Sequence, residues 1–468
     1  MLQHVHSEAI WYILWSTLLL VSAGDTFLNH LFSGNFSLAF SLLLTVIAAV
    51  QLLPGVKFLN CRETALAPAM LTLFGAAQVR DWITTLELPS LYSDFDFSAY
   101  YLAAKLVSRR PGQNLYDLPL YADGRMNLNA SAPLHSAWQS AAIRFHVPFA
   151  APFIYPPFFS VVMKPLAYLS FDSAFIAWKI TMVFLLGVAV MLSLKLGGIP
   201  KGRKLALMLG VGLFSYYPLT DSLFMGQIDC LILFLLAASV WLLAKNETLV
   251  SAFCFAAASL LKLTPVLAIP LFLIHRRWKW LGAYALWIGC LMIVSVNQAG
   301  WPMHRRFWRV VMPAISCGSP ACQNSSLVAY VQQLYQREAP SVAPVTIPPH
   351  ACTVSRLVAF AVYSLLLARF YLRPRDGELV RNLVLMVFVE LAVSPIAWWH
   401  DYTLALLPFL YLWRTISKKS DVALIALFLI VGTNIVGYSL LLTENHLAQL
   451  MLAAIVPCLT LTLVYRTS

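Results

Sequence analysis

A lysine interrupts one of the long apolar tracts of this chain. Lys262 lies in the tract 249–274, and Thr264-Pro265 follow within three positions. A charged side chain at membrane depth is costly, so it normally faces a protein-lined cavity and marks a functional site. Proline breaks or kinks a helix and leaves irregular backbone beside the lysine. The pattern predicts a buried cation at a helix break, suited to binding an anionic lipid headgroup.

Two carboxylates precede a segment with helical periodicity. Asp94 and Asp96 come just before residues 97–110, whose pattern predicts an amphipathic helix lying on a membrane surface. A carboxylate at a helix start can cap free N–H groups. At a membrane surface it could instead take a proton from an acceptor hydroxyl as a general base. The residues alone leave both interpretations open.

Two further polar groups follow other apolar tracts. Asp221 and Gln227 lie between two tracts, where they could form a plain polar turn or face a site. His400 follows a tryptophan pair typical of the membrane interface. We expect Glu390, in the apolar tract before this pair, to pair with an intramembrane cation.

A basic group occupies a predicted outer loop. Arg305 and Arg306 follow His304, and Arg309 comes soon after. These side chains could bind the phosphate of an anionic donor, or they could simply face water on the surface of the loop.

The composition identifies the broad class of protein. The chain of 468 residues is 60% hydrophobic and 11% charged, with a mean hydropathy of +0.75. This balance predicts an all-α polytopic membrane protein with roughly a dozen transmembrane helices. The net charge of +12 is spread over short clusters rather than one basic domain, which argues against a nucleic-acid partner.

Clusters of Lys and Arg orient the chain, because such residues collect in cytoplasmic loops. The resulting single membrane domain comprises N-terminal helices (1–87), a first outer loop (88–153), central helices (154–296), a second outer loop (297–352) and C-terminal helices (353–468). The tracts 155–169 and 175–198 conflict with this rule, because two crossings there would place Lys201 outside.

The cysteines form no metal pattern. Cys317, Cys322 and Cys352 share the second outer loop, so one disulfide could form if that loop faces an oxidising compartment. The odd third cysteine argues against a bridge, and the sequence leaves the matter open.

The polar groups converge when this topology is applied. Asp96, Asp221, Gln227, Lys262 and His400 are far apart in sequence but fall at one membrane face. A carboxylate, cations and a histidine together indicate a site for transfer from an anionic lipid carrier.

The motifs that contain these polar groups resemble those of glycosyltransferase family 87, a group of integral-membrane transferases of GT-C type. The resemblance rests on motifs in the same order, from about Tyr92 to Trp413. These motifs are Asp96-Phe97-Ser98-Ala99-Tyr100-Tyr101, Leu115-Tyr116-Asp117, Tyr155-Pro156-Pro157, Gly226-Gln227, Leu261-Lys262-Leu263-Thr264-Pro265 and Ser394-Pro395-Ile396-Ala397-Trp398 with His400.

The resemblance implies a role for each group. Asp96 corresponds to the catalytic base, with Asp94 as a second candidate, and His400 lies near the reacting centre. Lys262 would lie close to the carrier phosphate. We expect Arg305 and Arg306 to assist there, and the substrate pocket to be lined by Tyr100, Tyr155, Asp221, Gln227, Trp398 and Trp399.

The implied activity is sugar transfer from a polyprenyl-phosphate carrier to a glycolipid or glycan acceptor. Mannose or another hexose or pentose would move with inversion, on the non-cytoplasmic face of the inner membrane, without cofactor or metal. A transporter or flippase of lipid-linked saccharides is the main alternative, because it would need the same cation and cavity.

Overall fold

The computed structural model describes residues 95–109, 112, 114–116, 136–148, 151–199, 213, 215–321, 323–336, 348–372, 378–413, 422–434 and 446–467. These ranges are almost entirely helical, and their one extended pairing is an antiparallel bridge between Asn324 and Trp398. The predicted all-α class is therefore correct for the part of the chain described. The predicted N-terminal helices (1–87) and Asp94 lie outside it.

Seventeen α-helices follow one another in the described ranges. They are α1 (Phe95–Arg109), α2 (Ser136–Arg144), α3 (Pro157–Val162), α4 (Phe171–Leu196), α5 (Tyr217–Met225), α6 (Asp229–Ala244), α7 (Thr248–Leu261), α8 (Ile269–Ile274), α9 (Trp278–Ala299), α10 (Trp301–Arg306), α11 (Met312–Ser316), α12 (Leu327–Gln333), α13 (Pro349–Leu372), α14 (Leu379–Val393), α15 (Leu406–Leu412), α16 (Val422–Thr433) and α17 (His446–Thr467). Short 3₁₀ helices cover Lys164–Tyr168, Thr264–Ala268 and Trp399–Ala405.

Three helices, α4, α9 and α13, are long and apolar enough to cross a membrane. The 26 residues of α4 give a length of about 39 Å, which exceeds a hydrocarbon core of roughly 30 Å. The pair α5 and α6 passes the same test together but bends by 120° between the two helices. The described residues thus hold three or four candidate spans, and the count of roughly a dozen stays a prediction.

The tract 155–169 does not form one crossing. It contains the six-residue helix α3 and the five-residue 3₁₀ helix Lys164–Tyr168, and both are too short to span a bilayer. Prolines at positions 156, 157 and 165 explain the interruption, because each removes a backbone donor. Of the two tracts that raised the conflict over Lys201, only the second forms a long helix, α4.

The first helix is buried rather than lying on a surface. α1 forms where helical periodicity predicts it, but all side chains from Phe97 to Ala104 are buried. Phe97 packs against Phe171 and Phe175, with ring centroids 5.5 and 5.1 Å apart. Aromatic and small residues therefore cover the side that an amphipathic surface helix would leave to water.

A glycine sets the bend between α5 and α6. Gly226 has φ +70°, a left-handed conformation that a residue with a Cβ rarely adopts. A Cβ there would lie 2.8 Å from both Phe97 and Phe175. Its carbonyl accepts a hydrogen bond of 2.8 Å from Trp178 Nε1. The rings of Phe97 and Phe175 and the hydrogen bond from Trp178 thus fix this turn. Gln227 follows it directly.

The predicted helix break at Lys262 is confirmed. α7 ends at Leu261, and Lys262 has extended backbone with φ −144° and ψ 124°. The chain then continues through the 3₁₀ helix Thr264–Ala268 into α8. Lys262 therefore lies between two helical segments rather than within one.

A disulfide closes the segment between α11 and α13. Cys317 and Cys352 are bonded, with their Cα atoms 5.2 Å apart, which selects one of the pairings left open by the sequence. Inside this loop, the Asn324 side chain accepts from Ala397 N at 2.9 Å and donates to Pro395 O at 3.0 Å. The cross-linked loop therefore holds the chain just before His400.

Replacing Cys317 and Cys352 by serine should destabilise the protein by about 2–4 kcal/mol, because the bridge closes a long loop in the unfolded chain. The thermal midpoint of the purified protein in detergent measures the loss, with Cys290→Ser, an exposed free thiol, as the control. Free thiols at positions 317 and 352 in protein isolated without reductant would contradict the pairing.

Candidate active site

An antiparallel helix pair brings a carboxylate and the buried lysine together. α6 begins at Asp229, and α7 ends one residue before Lys262, so the start of one helix lies beside the end of the other. The Lys262 Nζ atom lies 3.1 Å from Asp229 Oδ1. Asp229 also occupies the first turn of α6, where a helix favours negative charge.

A second carboxylate reaches the same lysine from the C-terminal part of the chain. Asp401 lies in the 3₁₀ helix Trp399–Ala405, and its Oδ1 atom pairs closely with Lys262 Nζ. Its Oδ2 atom accepts a hydrogen bond of 2.8 Å from Trp398 N, while Asp229 Oδ2 accepts one of 3.3 Å from Ser222. Each carboxylate oxygen of this pair therefore has a partner within the protein.

The sequence did not predict these partners. Glu390 was expected to pair with the intramembrane cation, but Lys262 pairs with Asp229 and Asp401 instead. The Glu390 Oε2 atom is buried and accepts no hydrogen bond from the described residues. The signal that could have found Asp401 is its place directly after His400, at the end of an apolar tract.

His400 lies between two carboxylates. Its Nδ1 atom is 3.6 Å from Asp221 Oδ2, and its Nε2 atom is 4.0 Å from Asp401 Oδ1. Burial lowers the pKa of His400, but the charges of Asp221, Asp401 and Asp229 outweigh that effect and raise it to about 9. The imidazole is therefore a cation at neutral pH.

Asp96 is held by an amide from the turn after Gly226. Gln227 Nε2 donates to Asp96 Oδ2 at 2.6 Å. The opposite atom of that amide, Oε1, accepts from Tyr100 at 2.6 Å and from Tyr155 at 3.1 Å. The two hydroxyls fix the amide so that its N–H group faces the carboxylate. Three predicted pocket residues thus orient the predicted base.

The environment of Asp96 suits a base that works near neutral pH. Burial raises its pKa to about 6, with Asp221 and Asp229 adding to the rise and His400 and the Gln227 hydrogen bond opposing it. The side chain nevertheless remains partly exposed. Asp229 and Asp401, by contrast, are buried and fully partnered.

The cluster carries more negative charge than the site predicted from the sequence, in which Asp96 and Asp221 met Lys262 and His400. The structure brings four carboxylates and two cations together, namely Asp96, Asp221, Asp229, Asp401, Lys262 and His400. With all of them ionised, the cluster carries an excess of two negative charges. The sequence prediction did not include Asp229 and Asp401, whose two negative charges exceed the single positive charge of Lys262.

The tryptophan pair contributes mainly through its backbone and packing. Trp398 and Trp399 are half-buried, and Trp399 packs edge-on against Tyr217 with ring centroids 5.9 Å apart. Arg305 and Arg306 are exposed on α10, and no contact joins them to Lys262 or His400 in the part of the chain described. Their role in binding the donor phosphate stays a prediction.

The cluster also contains a group that could hold a metal ion. Ligand atoms of Asp229, His400 and Asp401 lie within 4.8 Å of one another. Lys262 already bridges the two carboxylates, so an ammonium occupies the position next to them that a metal cation would need. The sequence showed no such group, and the metal-free reaction remains a prediction.

Comparison with known proteins relates the sequence of this chain to a family. Residues 153–395 match the sequence model of glycosyltransferase family 87. A polyprenol-phosphate-mannose-dependent alpha-(1-2)-phosphatidylinositol pentamannoside mannosyltransferase from Mycolicibacterium smegmatis is 26% identical over 293 residues, which cover 62% of this chain and 67% of that protein. The protein of the same name from Mycobacterium tuberculosis is 27% identical over 295 residues, which cover 62% of this chain and 64% of that protein. The chain thus matches about two thirds of the length of these relatives. Because the family match covers more than half of its length, the chain belongs to glycosyltransferase family 87.

Proposed function

We propose that this glycosyltransferase moves a sugar from a polyprenyl-phosphate carrier to a hydroxyl of a glycolipid or glycan. Two relatives are named for a polyprenol-phosphate-mannose donor and a phosphatidylinositol pentamannoside acceptor. Mannose is therefore the first sugar to test, followed by other hexoses and pentoses. The observation that carries the proposal is a partly exposed carboxylate, Asp96, held by Gln227 in a buried cluster with protonated His400.

Asp96 acts as the general base in this proposal. Its carboxylate takes the proton of the acceptor hydroxyl while the hydroxyl oxygen bonds to the anomeric carbon of the sugar. A pKa of about 6 leaves the group ionised at neutral pH and basic enough to accept that proton. Asp94 remains the alternative base and lies outside the described residues.

The leaving group requires stabilisation of charge rather than a proton. The bond between the anomeric carbon and the phosphate oxygen breaks, and its electron pair stays on the polyprenyl phosphate. His400 can offer a charge-assisted hydrogen bond to that phosphate. Attack from the side opposite the phosphate inverts the anomeric centre.

Lys262 has a positioning role in this proposal. Its ammonium is shared between Asp229 and Asp401, so a phosphate would have to displace one of two buried carboxylates. The three charges instead fix the 3₁₀ helix that carries His400. His400 is then the cation that meets the donor, and Lys262 acts through it.

The proposed topology puts the site on the non-cytoplasmic face of the inner membrane. The disulfide between Cys317 and Cys352 supports this, because such bonds persist in oxidising compartments. One long helix, α4, between the first outer loop and Lys201 also agrees with the positive-inside rule. We retain the sequence-based division into outer loops at 88–153 and 297–352 within a bundle of roughly a dozen spans.

Asp96→Asn should reduce sugar transfer by about 10²–10⁴-fold, because the amide cannot accept the acceptor proton. Transfer from radiolabelled polyprenyl-phosphate mannose in proteoliposomes measures the change. Asp172→Asn, which changes an exposed carboxylate at the start of α4, is the matched control. Wild-type transfer by Asp96→Asn would reject the base.

The rate should depend on pH at both ends of the range. The value of kcat/KM rises as Asp96 loses its proton near pH 6 and falls as His400 loses its proton near pH 9. His400→Gln should remove the alkaline limb and shift the acid limb upward, because His400 lowers the pKa of Asp96. An unchanged alkaline limb in that variant would exclude His400 as the titrating group.

Lys262→Met should destabilise the protein by about 3–5 kcal/mol, since it leaves two buried carboxylates without their cation. Adding Asp229→Asn and Asp401→Asn should restore the thermal midpoint and most of the donor affinity. Lys245→Met, at the opposite end of the same helix pair, is the matched control. A restored midpoint with donor binding still lost would assign Lys262 to the phosphate directly.

A further inference from the structure

The segment that follows α9, residues 301–311, has one buried and one exposed face. Its buried face carries Met303, His304, Phe307 and Val311. Its exposed face carries Trp301, Arg305, Arg306, Trp308 and Arg309. Spacings of three and four residues repeat on both faces, as expected of one helical turn above another. The two tryptophans are 62% and 54% exposed, which is unusual for the largest apolar side chain.

The buried face is tied to the first outer loop and through it to the candidate site. Met303 Sδ accepts from Leu115 N at 3.4 Å, and the ring of Phe307 lies 5.9 Å from that of Tyr116. Tyr116 in turn donates to the carbonyl of Tyr155 at 2.8 Å. These contacts fix the orientation of the segment, so the tryptophan and arginine side chains must face outward.

The exposed face has a single sign of charge. No Asp or Glu occurs between Asn297 and Gln336, while Arg305, Arg306 and Arg309 contribute three positive charges. Within the described ranges, none of these arginines forms an ion pair. The face is therefore suited to a partner that supplies negative charge.

The position of this face relative to the membrane is set by α9. That helix has 22 residues and is about 33 Å long, close to the roughly 30 Å of a hydrocarbon core. Gly300, with φ +88°, ends it, and the segment begins at the next residue. Residues 301–309 thus start where the bilayer surface lies. Tryptophan is enriched at that depth, and basic side chains on an interfacial segment are attracted to anionic lipids.

We propose that Trp301, Arg305, Arg306, Trp308 and Arg309 form a docking surface for anionic phospholipid headgroups. The indoles insert at the interface while the guanidinium groups bind the headgroup phosphates of the surrounding bilayer. This surface fastens the segment to the membrane and, through Tyr116, supports the site. It also gives the arginines a partner other than the donor phosphate.

The test uses the full-length protein in phosphatidylcholine vesicles that contain photoactivatable phosphatidylglycerol. After illumination, mass spectrometry locates lipid adducts along the chain. Adducts should concentrate in residues 301–309 and fall by roughly 5-fold for each arginine lost in Arg305→Gln, Arg306→Gln and Arg309→Gln. Replacing the same three residues by lysine should retain most of the labelling, because the charge remains.

The control removes equal charge at the other end of α9, through Arg276→Gln, Arg277→Gln and Lys279→Gln. It should leave adducts at 301–309 unchanged. Equal labelling by a photoactivatable phosphatidylcholine, or no loss in the glutamine variant, would overturn the proposal. Stronger labelling by a photoactivatable polyprenyl phosphate than by phosphatidylglycerol would also overturn it and assign the arginines to the donor.

Discussion

The pairing of Lys262 with Asp229 and Asp401 is the interaction on which the rest of the site depends. Buried charges are tolerated only when they are paired and hydrogen-bonded, and here each carboxylate oxygen has a partner. The ammonium joins the start of α6, the break after α7 and the 3₁₀ helix Trp399–Ala405. Since His400 precedes Asp401 in that helix, its position follows from the same three charges. Conformational freedom at the site is removed by electrostatics rather than by packing alone.

The remaining carboxylates occupy a different environment. Asp96 lies on a buried helix that aromatic rings hold in place, and it receives one amide hydrogen bond while staying partly exposed. Asp221 lies on the other side of the cluster, next to His400. Carboxylates with similar intrinsic acidity thus separate into partnered groups that support the fold and accessible groups that can react. On this separation rests our proposal that Asp96 is the base and that the anionic donor meets His400, the cation of the cluster that is not held between two close carboxylate contacts.

The sequence alone indicated the lysine, its helix break and the polar groups that meet at the site. A charge or a proline inside an apolar tract has few structural explanations other than a buried site or a helix break. The sequence could not identify the partners of Lys262, because the pairing with Asp401 joins positions 139 residues apart and depends on how the helices pack. The burial of α1 was missed for a related reason. A helix with small and aromatic side chains can meet either a membrane surface or other helices, and periodicity does not distinguish them. Similarly, three cysteines in one loop left the pairing of Cys317 with Cys352 undecided.

We propose that donor and acceptor meet between His400 and Asp96. A structure of the protein with a non-hydrolysable polyprenyl-phosphonate sugar and an acceptor tests it most directly. We expect a phosphonate oxygen about 3 Å from a His400 ring nitrogen and the acceptor hydroxyl at a similar distance from Asp96, with the anomeric carbon between them. A phosphonate bound at Arg305 and Arg306, with Asp96 out of reach of the acceptor, would contradict this arrangement of donor and acceptor.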